Sequence, residues 1–191
     1  MQAYQNQPGV SKPILASPPA LARIARVHSV NPLQLRKNYF QSIHVPHSTS
    51  LRQPLSVLVV IHTIDKSCLL IQRADDANFW QSVTGGIEHA ETPLETAYRE
   101  LKEETGIDAH ALGLTIIDKN KTNQYQIRDC WRHRYHEHAL INTEHVFTVC
   151  VPDDITIVLD PTEHTDYIWL SQQAAADKAW SESNQNEILA L

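Results

Sequence analysis

The chain has 191 residues, 42% of them hydrophobic, with a formal net charge of −6. That length suits one domain with a sizeable core, and no apolar run approaches the roughly 18 residues of a membrane span. All 22 acidic residues lie beyond position 52, while Lys12, Arg23, Arg26, Arg36, Lys37 and Arg52 precede them, so the body is acidic and argues against nonspecific nucleic-acid binding.

Residues 1–51 read as a Pro-rich basic extension. Six of the ten prolines (8, 13, 18, 19, 32 and 46) fall there among many Gln, Ser and Asn. Such a composition buries little apolar surface, which predicts a disordered extension. A short helix from Pro18 to Val30 and an organelle transit peptide are other readings of this stretch. The folded domain is expected over 52–191.

From Pro54 the composition changes. Leu55–Ile64 predicts a β-strand, Asp65-Lys66-Ser67 a hairpin turn, and Cys68–Gln72 the return strand. Arg73–Phe79 is a polar loop, and Trp80–Thr84 a short extended piece.

Gly85–Ile107 dominates the chain. Thr92 can cap a helix, Pro93 suits its first position, Glu95 completes a capping box, and Gly106 ends the helix. Leu94, Ala97, Tyr98, Leu101 and Thr105 form the stripe expected to face the core. Glu100, Glu103 and Glu104 crowd the other side near the helix C-terminus, where like charges repel and the macrodipole disfavours anions. Two readings fit: a solvated acidic face, or a site for a hard divalent cation that takes oxygen ligands.

Further on, Leu112–Asp118, Gln124–Trp131, Glu144–Val151 and Ile155–Leu159 read as strands, and Tyr167–Leu170 as an edge strand. Ser171 is expected to cap a helix over Gln172–Ala179, and Ser181 or Ser183 a last one through Leu191. Arg132–His138 is a basic, aromatic and imidazole cluster. A zinc site on His133, His136 and His138 has no thiolate or spaced partner pair to complete it, and a basic loop over phosphates explains the cluster better. Cys68, Cys130 and Cys150 have no ligand spacing and fit the reduced thiols of a cytoplasmic protein.

The spacing from Gly85 through Glu91, Arg99-Glu100, Glu103-Glu104 and Gly106-Ile107 resembles a complete Nudix box. The resemblance implies an α/β fold, an α/β/α sandwich with a mixed central sheet and a metal-binding helix. It implies hydrolysis of a nucleoside-diphosphate-like bond with Mg²⁺, for which Mn²⁺ is a substitute. Metal ligands would be Glu100, Glu104 and the Gly86 carbonyl, with Glu103 in support. A further acid from outside the box would be Glu163 or Glu144. Glu100 is the first choice for general base, a bound hydroxide its rival. Arg99 would orient Glu100, and Glu91 would brace the loop through Arg99.

Segments outside the box bear on the substrate. Ser56–Ile61, Gln72–Asp76, Phe79–Gly85, Arg132–Tyr135, Asn142–Glu144, Glu163–Leu170 and Ala179–Ser181 resemble the branch of the family that removes pyrophosphate from a pterin triphosphate in folate synthesis. One departure is Gly86, where a member of that branch has Ser; a backbone carbonyl is wanted there, so the role survives. On this reading Arg52, Arg73, Arg132 and Arg134 would bind triphosphate oxygens, Arg being shaped for bidentate phosphate contacts. Trp80, Tyr135 or Trp180 would stack on a flat pterin, and Gln81 and Thr84 would bond its edge or tail. Tyr125, Gln126, Ile127, Arg128, Ala179 and Trp180 would line the pocket. Two rivals differ in class: a broader nucleoside triphosphate diphosphatase, and a catalytically silent ligand-binding or partner-binding module. The partner in the first two readings is a small-molecule triphosphate, neither nucleic acid nor membrane; the sequence leaves the oligomeric state open.

Overall fold

A computed structural model describes residues 51–191 of the chain. The expectations for residues 1–50 fall outside the described residues.

The sheet is built around β1 (Leu55–His62), whose interior positions are all buried. A β-branched apolar run of this kind suits a strand covered on both faces. It lies parallel to β6 (Ile141–Cys150) and antiparallel to β2 (Ser67–Arg73) and β4 (Val83–Gly86). The main path runs β3 (Trp80–Gln81), β2, β1, β6, β5 (Ile116–Gln126), with β4 paired to β1 and β7 (His164–Ser171) paired to β2. The sheet is therefore mixed, as expected.

Alternation along the strands divides the core. Val57, Val59, Ile61, Phe147 and Val149 face one side and pack with Ala97 and Leu101 of helix α1 (Pro93–Thr105). Val60, Cys68 and Leu70 face the other and pack with Ala175 and Ala176 of α2 (Gln172–Lys178) and Ile188 of α3 (Glu182–Leu189). Burying one such Leu or Ile contributes roughly 1.5–3 kcal/mol. The layers make the α/β/α sandwich.

Helix α1 starts and stops as its sequence predicts. The Thr92 hydroxyl accepts from Glu95 N, and the Glu95 carboxylate accepts from Thr92 N at 2.8 Å. Gly106 takes the left-handed conformation, φ 73°, and donates to the Lys102 carbonyl. Of the expected core stripe, Leu94, on the first turn of the helix, is exposed at 41%.

Other expectations need correction. The two strands expected over 112–131 are one strand, β5, with an irregularity between Asp118 and Thr122. Nearly all of β5 beyond Ile116 is exposed, so no apolar alternation marks it. Trp131 belongs to a 3₁₀ segment, Asp129–Arg134. Residues 155–159 form no strand; Val158 N instead donates to the Thr105 carbonyl at the end of α1. Ser171 stands at the N-cap of α2 without a side-chain capping bond, whereas Ser181 caps α3 through Asn184 N. The hairpin turn closes through Thr63 N donating to the Ser67 carbonyl, one residue earlier than the Asp-Lys-Ser triplet, and Ser67 already belongs to β2. No described helix is long and apolar enough to cross a membrane, and all three cysteines are free.

Candidate active site

The site grows from the junction of β4 and α1. Gly85 pairs with Val57 in the sheet, and its Cα abuts the Glu100 carboxylate. A Cβ there would overlap that carboxylate, so glycine is what lets α1 bring Glu100 against the strand. Gly86 is different. A Cβ on it would meet nothing within 4 Å, which explains how a relative can carry Ser at this position.

Arg99 ties the parts together. Its Nε donates to Glu91 Oε1 at 2.7 Å and its Nη2 to Glu91 Oε2 at 2.9 Å, a bidentate pair. Nη1 reaches Glu100 Oε1 at 2.8 Å and Glu103 Oε2 at 3.0 Å, and Nη2 also donates to the Gly86 carbonyl at 3.1 Å. One guanidinium thus joins the loop, the strand end and the helix. Glu91 further accepts from the Thr96 hydroxyl at 2.8 Å, and Arg99 holds its carboxyl down at about 2.

The three helix acids differ in environment. Glu103 is largely solvated, with a side chain 59% exposed. Glu100 is 12% exposed; burial, and then Glu104 beside it, push its carboxyl up to about 8. Glu104 is buried, accepts from Thr84 N at 3.3 Å, and is also shifted upward by burial. The solvated-face reading therefore fails for Glu104 and Glu100, whose charge the protein leaves poorly compensated.

Glu104 meets a second element. Oxygens of Glu104 and Glu163 and a ring nitrogen of His164 lie within 4.8 Å of one another. His164 is buried with Nε2 3.4 Å from Glu104 Oε1. Burial opposes protonation of this ring, but Glu104, Glu163 and a backbone bond at Gln72 together turn the net direction upward. Glu163 closes β7's start against the Arg73–Phe79 loop, its carbonyl accepting from Ala74 N at 2.8 Å. Converging oxygens of this kind can hold a hard divalent cation. Among the described residues Glu144 is outside this group.

A second set of residues forms an aromatic and guanidinium stack. Phe79 and Trp180 lie parallel with centroids 4.4 Å apart, and Trp131 sits 6.4 Å from Phe79. The Arg128 guanidinium lies over Trp180 at 4.7 Å and over Trp131 at 5.0 Å, and Arg73 over Trp131 at 5.1 Å. Arg73 is also paired with Asp75 at 2.7 Å. Phe79 and Trp131 were missed by the sequence reading, since an aromatic in a polar loop carries no periodic signal.

The remaining expected residues are dispersed. Trp80 packs on the α2–α3 side, under the Lys178 ammonium at 4.3 Å, outside the stack. Gln81 is buried and donates to the Thr84 hydroxyl at 3.1 Å. Arg52 and Tyr135 form a β-bridge, with Arg52 N donating to the Arg134 carbonyl at 2.8 Å. Arg132 pairs with Asp129 at 3.3 Å. Tyr125 and Gln126 end β5, while Ile127 and Ala179 are buried.

Residues 52–191 match the NUDIX domain model, and the chain belongs to the Nudix family. Its fold and box are those of a hydrolase that cleaves acid-anhydride bonds, a family whose members use divalent metals. Over 133 residues the chain is 46% identical to the dihydroneopterin triphosphate diphosphatase of Escherichia coli K12, covering 68% of this chain and 87% of that one. It is 40% identical over 134 residues to the Haemophilus influenzae protein of the same name, covering 70% and 84%. The solved structure of the E. coli dihydroneopterin triphosphate pyrophosphohydrolase superposes with a TM-score of 0.69 at 43% identity, covering 74% of this chain and 96% of that one.

Proposed function

We propose that the chain hydrolyses 7,8-dihydroneopterin triphosphate to the monophosphate and pyrophosphate, a reaction of folate synthesis, with Mg²⁺ as the metal. The observation that carries this reading is the 46% identity to the E. coli diphosphatase, which runs through both the box and its flanks. Glu100, Glu104, Glu163 and the Gly86 carbonyl would hold the metal, and Glu103 would support it from the solvated side. When bound, the metal neutralises phosphate oxygens and makes water a better nucleophile.

The chain's own residues do the rest. On this reading Glu100, held against the strand at Gly85, accepts the proton of the attacking water. Arg99 fixes that carboxylate through Nη1. Water adds to a phosphorus of the anhydride linkage, the bridging P–O bond breaks, and pyrophosphate leaves. Arg73 and Arg128, held on the aromatic stack, neutralise the polyphosphate, and Arg52, Arg132 and Arg134 extend this basic rim. On this reading the folded unit is residues 52–191.

A panel tests this: pyrophosphate release from dihydroneopterin triphosphate, dATP and an oxidised dNTP with Mg²⁺. A preference for the pterin is expected. A preference for a dNTP would move the chain to nucleotide-pool hydrolysis.

A further inference from the structure

The catalytic acids leave one buried polar cluster unexplained, on the opposite face of the sheet. Across the strands β4, β1, β6 and β5, Gly86 pairs with Ser56, Ser56 with Glu144, and Glu144 with Asn123. In the next row of the same face Asn142 pairs with Tyr125. Glu144 is 4% exposed and Asn142 1% exposed.

The Tyr125 hydroxyl bonds Ser56 and Asn142 in this cluster, yet two of its acceptors stay poorly met. The Asn142 amide donates to Ser56 Oγ at 2.7 Å, which leaves Asn142 Oδ1 buried with no hydrogen-bond partner. Glu144 Oε2 receives one long bond, from Asn123 Nδ2 at 3.5 Å. Burial holds its carboxyl up at about 7, a sign that its charge lacks compensation. Glu187 of α3, also buried, adds to this by repulsion and is itself engaged by Lys121 at 2.6 Å. Orphaned buried acceptors are costly, so a ligand that brings donors is favoured here.

We propose that Glu144 and Asn142 recognise the 2-aminopyrimidinone edge of the pterin head. The Glu144 carboxylate accepts from the ring N–H and one amino hydrogen, and Asn142 Oδ1 accepts from the other amino hydrogen. The proposal rests on the pterin triphosphate reading above. Spacing supports it: Gly86, at the metal-binding end, and Glu144 stand two strands apart in one row, roughly 10 Å, room for the chain between a flat ring and its phosphates. A metal fits less well. Only two acids meet here, and the Lys121 ammonium already answers one of them.

The test measures binding of neopterin, which carries no phosphate, to the full chain in chelator by fluorescence. The matched comparison is 6-substituted lumazine, which has a carbonyl in place of the amino group. Wild type is expected to favour neopterin by about tenfold or more, a preference that Glu144→Gln abolishes. Equal binding of the two ligands by wild type, no neopterin binding at millimolar concentration, or a preference retained in Glu144→Gln overturns the proposal. The wild-type comparison stands even where the variant misfolds. A chain that shows the preference but does not hydrolyse the triphosphate would lose the reaction and keep this site.

Discussion

Gly85 and Glu100 occupy one space: the strand lacks a side chain at the point where the helix places its carboxylate. Gly85→Ala is therefore expected to keep the fold, since the carboxylate is the mobile partner, but to turn Glu100 away from its position. Turnover should fall by a hundredfold or more, in line with a displaced catalytic group. Gly86→Ser, by contrast, should stay within a few-fold of wild type, because open space surrounds that position. Steady-state pyrophosphate release on both variants checks the pair; equal losses would separate Glu100 placement from Gly85.

Glu100 and Glu104 should cost stability when no metal is present. Burial lifts both carboxyls above their ordinary range, Glu100 to about 8. A raised carboxyl binds its proton more tightly when folded, so stability falls as pH rises from the unfolded value of 4.5 through about 8. In chelator, thermal midpoints should decline across that window. Glu100→Gln should flatten the decline and raise the midpoint at pH 8, while lowering turnover by orders of magnitude with metal. A midpoint at pH 8 that drops in the variant would mean the carboxylate charge is well compensated by Arg99.

The legibility of these features differed for physical reasons. The cap, the box and the end of α1 are local, so Thr92, Glu95 and Gly106 could be read in place. The edge strand β5 was misread because exposed residues need no alternation. Among the site residues, the acids on one helix face were visible as a repulsive cluster. His164 was not, since its meeting with Glu104 depends on how β7 aligns with α1. Phe79 and Trp131 escaped notice because their stack joins a loop, a 3₁₀ segment and a turn far apart in the chain. Trp80 drew attention by type alone, and its ring packs on the α2–α3 side.

The stack of Trp180 on Phe79 is expected to act on binding more than on folding. Trp180 is 46% exposed, so Trp180→Ala removes little core, and an aromatic pair contributes about 0.5–1.5 kcal/mol. Its larger effect would be to free the Arg128 guanidinium, which lies 4.7 Å over the indole. KM for the triphosphate should rise about tenfold with kcat within a few-fold. Urea unfolding should shift by no more than that pair energy. A fall in kcat with KM unchanged would place Trp180 in the chemistry instead.

Glu91 and Glu100 both touch Arg99, yet their effects on stability should fall in separate pH windows. Arg99 pulls the Glu91 carboxyl down to about 2, helped by Thr96. A depressed carboxyl contributes stability that is present above 4.5 and is lost as pH falls from 4.5 toward 2. The raised Glu100 acts above 4.5 and in the opposite sense. Urea midpoints in chelator should therefore peak near the shared reference value. Glu91→Gln should flatten only the acid limb, and Glu100→Gln only the alkaline limb. Arg99→Lys should affect both, because one ammonium cannot keep the bidentate bond to Glu91 and also reach Glu100 and the Gly86 carbonyl. If Glu91→Gln leaves the acid limb unchanged, the loop is held by its backbone bonds and not by this pair.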